Sequence, residues 1–71
     1  MKYYVIESST TDGTTFANAI TTKDTYDEAV MVFHQVRASA LANDSVKYNL
    51  TMVIDQSGAV IRLEHDDLPR E

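Results

Sequence analysis

A chain of 71 residues forms one domain, and it buries only about 60% of the surface its unfolded form exposes, so it is marginal without a staple. It has no cysteine, which excludes disulfides and thiolate metal sites, and its two histidines are far apart in sequence. Eleven acidic residues against six basic ones give a net charge of −5, so nucleic acid is not an expected partner, because phosphate contacts supply most of that affinity.

The first predicted element is a strand over Lys2–Ser8, where Tyr3, Tyr4, Val5 and Ile6 are all strand formers and both faces are apolar near the start. Asp12-Gly13 is a hairpin signal between this run and a second strand over Thr14–Thr22. Thr25 followed by Glu28 is a capping-box signature that opens a helix over Thr25–Asn43. Along it Tyr26, Ala29, Val30, Phe33, Val36 and Ala40 recur at spacings of three and four, which predicts the buried stripe. Lys47–Asp55 is the clearest strand. Tyr48, Leu50, Met52 and Ile54 alternate with Lys47, Asn49, Thr51, Val53 and Asp55, a pattern that predicts one buried face. Gln56-Ser57-Gly58 turns the chain into a fourth strand over Ala59–His65, with Ala59, Ile61, Leu63 and His65 on one face. Residues 66–71 are charged, carry the lone proline and are expected to form a flexible acidic tail beyond a single domain of residues 1–65.

The order β-β-α-β-β predicts an α+β fold: a four-stranded antiparallel sheet with one helix packed on one face. One helix shelters one side only, and Met31, Val32 and Leu41 lie off its main stripe. The surplus of apolar surface predicts a homo-oligomer, most simply a two-fold dimer.

No segment approaches the roughly 20 apolar residues of a membrane span. The opening MKYYVIES lacks the features of a secretion signal, so a soluble protein of the cytoplasm is expected. No hydrolase, phosphate-loop or dinucleotide motif is present, and both glycines are accounted for by turns, so neither an enzyme nor a cofactor is expected. The residues suited to holding a small ligand are the tyrosines Tyr3, Tyr4 and Tyr48, which can stack on a base, with Arg37, Lys47 and Arg62 as cations and His34 on the helix flank. The same tyrosines and arginines equally suit the centre of a protein interface.

The blocks MKYYVIES, DGT, KDTYDEAVMVFHQVRASALAN and MVIDQSGAVIRLE resemble a family of small phage and prophage proteins of Firmicutes gut bacteria that open with MKYYVIE. Phe33-His34-Gln35 stands where that family has a YHQ-like centre. The resemblance implies a phage context inside a bacterial host cell and carries over no functional residue. The expected function is therefore that of a small non-enzymatic binding protein. The first role expected of it is an anti-defence protein that sequesters a nucleotide-derived signal where subunits meet, and the alternative is a module that binds a host or virion protein through the open sheet face or a strand edge.

Overall fold

The computed structural model describes residues 1–67. It contains β1 (Tyr3–Thr10), β2 (Phe16–Lys23), α1 (Tyr26–Ala42), β3 (Tyr48–Asp55) and β4 (Val60–Asp67). The strands make one antiparallel sheet in the order β2-β1-β3-β4, with the helix on one face, as the pattern of elements predicts. β4 runs through Asp67, so the first two residues assigned to the acidic tail belong to the sheet; 68–71 lie outside the described residues.

Local chemistry fixes the turns and the helix start. The Asp12 carboxylate accepts from the N–H groups of Thr14 (2.8 Å) and Thr15 (2.7 Å) and from the Thr10 hydroxyl (3.0 Å). Gly13 supplies the positive φ of 85° that this turn needs. Asp55 plays the same part in the second hairpin, accepting from Ser57 and Ala59, with Gly58 at φ 92°. At the helix N-terminus the Glu28 N–H donates to the Thr25 hydroxyl oxygen at 3.2 Å, and that hydroxyl donates to the Glu28 carboxylate at 3.0 Å.

Cross-strand partners share a face, so the registers assign the sheet row by row. On the helix side Val5 pairs with Thr21 and Val53, and Val53 pairs with Arg62. The next rows are Glu7 with Ala19, Thr51 and Glu64, then Ser9 with Ala17, Asn49 and Asp66. Ala29 and Phe33 of the helix close over Val5 and Val53, with Tyr3, Val32 and Ile61 at the margin. The opposite, open face carries Tyr4, Thr22, Ile54 and Val60; Ile6, Ile20, Met52 and Leu63; and Ser8, Asn18, Leu50 and His65.

This assignment corrects three expectations. The apolar side of β3 faces away from the helix, and its polar side, Asn49 and Thr51, is fully buried beneath it. Strict alternation fails in β4, where the register shifts between Val53 and Ile54; Ile61 is the extra residue and leans on the core, while Val60 joins the open face. The helix stripe is Ala29, Phe33, Arg37 and Ala40, with Tyr26 exposed.

Candidate binding surface and buried polar cluster

Beneath the helix the core is half polar, and its polar half is held by one side chain. Arg37 is 8% exposed, on the stripe that faces the sheet. Its Nη1 donates to Asn49 Oδ1 at 2.8 Å and to the Asn49 carbonyl at 3.4 Å, and its Nη2 donates to Asp66. Nε lies 3.5 Å from the Glu64 carboxylate and makes no hydrogen bond of good geometry. Asn49 then donates from Nδ2 to Glu7 at 2.9 Å, and Thr51 donates its hydroxyl to Asn49 Oδ1 at 2.9 Å. Asn49 and Thr51 are thus buried with partners, which removes most of the cost of burying them. The arrangement ties helix, β1, β3 and β4 together. It does not present a free cation to a ligand, because the guanidinium is already matched to carboxylates and an amide.

The open face is the reverse. Its three rows from Tyr4 to Ser8 contain no Lys, Arg, Asp or Glu, and Ile20 (67% exposed), Val60 (57%) and Leu63 (47%) stand in solvent. At one end Phe16, Tyr48 and His65 form an aromatic row across the sheet, with Phe16 edge-on to Tyr48 at 5.8 Å and Tyr48 tilted against His65 at 6.3 Å.

The residues suited to a small ligand do not meet within one chain. Tyr4 and Tyr48 are both on the open face, but the partner of Tyr48 on β1 is Thr10, six residues beyond Tyr4, which is about 20 Å along a strand. Tyr3 is on the helix side, edge-on to Tyr26 at 6.1 Å. Arg62 is exposed on the helix side of β4, Lys47 is exposed ahead of β3, and His34 is exposed on the helix with its ring against Phe33 at 5.3 Å. Arg37 alone of the seven is buried. An open depression lined by Met1, Gln56 and Ser57 contains none of them. Among the described residues no group of His, Asp and Glu converges to hold a metal ion, and no helix is long and apolar enough to cross a membrane.

The sequence reading missed Glu7, Asn49, Thr51, Glu64 and Asp66 as a connected set. The available signal was Arg37 at helical spacing from Phe33 and Ala40, on the inward stripe, where a cation needs a buried acceptor. No family model, no curated protein and no solved structure matches this chain.

Proposed function

We propose that the chain is a non-enzymatic binding protein whose working form is an assembly of its own copies, joined through the open face of the sheet. The observation that carries this is an inverted distribution of polarity: the satisfied polar side of the sheet is buried under the helix, and the apolar, uncharged side is left outside. Covering four strands of eight residues with a second copy occupies about 500 Å² of planar face on each, roughly 1,000 Å² in total, the size at which specific interfaces begin. An acidic chain repels its own copies wherever charge meets charge, and this face holds no formal charge across its central rows.

The proposed setting is a phage or prophage inside a bacterial cell, with a host or virion protein as the alternative occupant of the face. A second reading, a planar nucleotide-derived ligand held where copies meet, draws on the aromatic row of Phe16, Tyr48 and His65, because each ring can stack a base. Thermal-shift measurements with cyclic nucleotides and ADP-ribose derivatives test that reading, and no stabilisation at millimolar ligand would end it.

Sedimentation at micromolar protein tests the assembly. Met52 lies in the middle of the face on an internal strand, and Met52→Glu sets a charge against its own copy there. The variant is expected to lose at least half of the wild-type mass while keeping its far-ultraviolet circular dichroism. A folded wild type that sediments as a single copy of 8.0 kDa overturns the proposal.

A further inference from the structure

The two edges of the sheet are unlike. β4 carries devices that keep natural edges apart: its ladder to β3 is interrupted at Val53/Ile54, and Arg62, Glu64 and Asp66 alternate along it. β2 carries neither. From Phe16 to Thr22 it has no charge and no proline, its pairing with β1 is unbroken over the strand's eight residues, and every residue of that run is exposed. The helix packs over Val5 and Val53, on the two central strands, and leaves Ala17, Ala19 and Thr21 of β2 open on its own side of the sheet. Alternate N–H and C=O groups along such a strand point away from its neighbour, so the free edge is a ladder of unmatched donors and acceptors.

We propose that β2 pairs antiparallel with β2 of a second copy, about a two-fold axis normal to the sheet, to give one sheet of eight strands. The charge pattern selects the occupant. Copies of a chain with net charge −5 can approach along an uncharged strand, whereas pairing through β4 about Glu64 would set that carboxylate against its own counterpart. The symmetry agrees with the side chains. Paired residues must come from the same face, so the axis passes through Ala19 or Ile20, and the small Ala17 and Ala19 let the strands close on the helix side. Both helices then lie on one side, and the two open faces join into a single apolar platform. This pairing uses the edge, whereas the open-face association uses the flat of the sheet, and together they give a tetramer with both kinds of contact.

The two contacts separate experimentally. Ala19→Lys brings two like charges close together across the axis on the helix side and leaves the open face unchanged; Ala19→Glu does so with the opposite sign. By light scattering at micromolar concentration each is expected to show half the wild-type mass, with unchanged circular dichroism. Met52→Glu halves the mass by the other route, and Ala19→Lys combined with Met52→Glu yields single copies. Hydrogen exchange reads the same edge on the unmutated protein: every amide of β2 is slow when the edge is paired, and alternate amides are fast when it is free. Wild-type mass in both Ala19 variants, or fast alternate β2 amides in the wild type, overturns edge pairing whatever Met52→Glu does. An unchanged mass in Met52→Glu, with the Ala19 variants halved, overturns only the open-face reading.

Discussion

Arg37 decides whether the polar half of the core is tolerable. It donates to Asn49 Oδ1, which also accepts from the Thr51 hydroxyl, and it is the counter-ion placed between Glu64 and Asp66. Arg37→Ala removes that donor and leaves two carboxylates facing an emptied site, so it is expected to cost about 2–4 kcal/mol in urea unfolding at fixed protein concentration. Arg37→Lys keeps the charge but loses the fork that reaches Asn49 and Asp66 together, so its cost should fall between wild type and Arg37→Ala. A loss of less than about 1 kcal/mol for Arg37→Ala would mean that the cluster is merely solvated. The turn aspartates act through pH instead. The N–H of Thr15, then that of Thr14 and the Thr10 hydroxyl, hold the Asp12 carboxyl well below the usual carboxylate range. The Ser57 hydroxyl is the main cause of the same direction at Asp55. A carboxylate whose pKa is depressed on folding contributes stability above its unfolded value, near 4, and loses it as pH falls toward the folded value. Asp12→Ala should therefore lower the thermal midpoint at pH 7, and its gap to wild type should narrow as pH drops below about 4. A gap that stays constant from pH 7 to pH 2 would show that the turn does not depend on the ionised form.

Among the elements, α1 depends on Phe33, the largest side chain in the core and fully buried against Val5 and Val53. Phe33→Ala is expected to cost about 3–5 kcal/mol, comparable with the whole stability of a domain this small, and to abolish the cooperative transition at 37 °C by circular dichroism. The elements themselves were legible because their signals are local. Asp12-Gly13, Ser57-Gly58 and Thr25 with Glu28 each specify a backbone geometry within four residues, and each forms as the chemistry requires. Which way β3 faces was not legible. A period of two shows that the faces of a strand differ, and the greasier one is ordinarily inside. Here Tyr48, Leu50, Met52 and Ile54 point out because Arg37, Glu7 and Asp66 supply partners to the polar side. Those partners come from three other elements, so no window along β3 contains them. The extra residue at Ile61 is hidden for a like reason: it is a property of pairing with Ile54 and Val53, not of the β4 sequence.

For the whole molecule, the assembly proposed for the inverted face would make stability and association one quantity. A single copy leaves Ile20, Val60 and Leu63 in water while it keeps Asn49 and Thr51 dry, so much of the apolar surface that could stabilise the fold is still exposed. The proposed association would recover it, and a species that binds only the folded state raises the thermal midpoint by mass action. For a dimer, each tenfold rise in protein concentration adds about 1.4 kcal/mol per pair, or about 0.7 kcal/mol per copy; in a domain of this size that is roughly 3–6 °C. Scanning from one to one hundred micromolar should therefore move the wild-type midpoint by at least twice that amount, because a tetramer gains more per copy than a dimer. Met52→Glu, which removes the proposed open-face contact, should start lower and move less, and combined with Ala19→Lys it should not move at all. A wild-type midpoint independent of concentration would place the exposed apolar face outside the energetics of folding and overturn its association with a second copy.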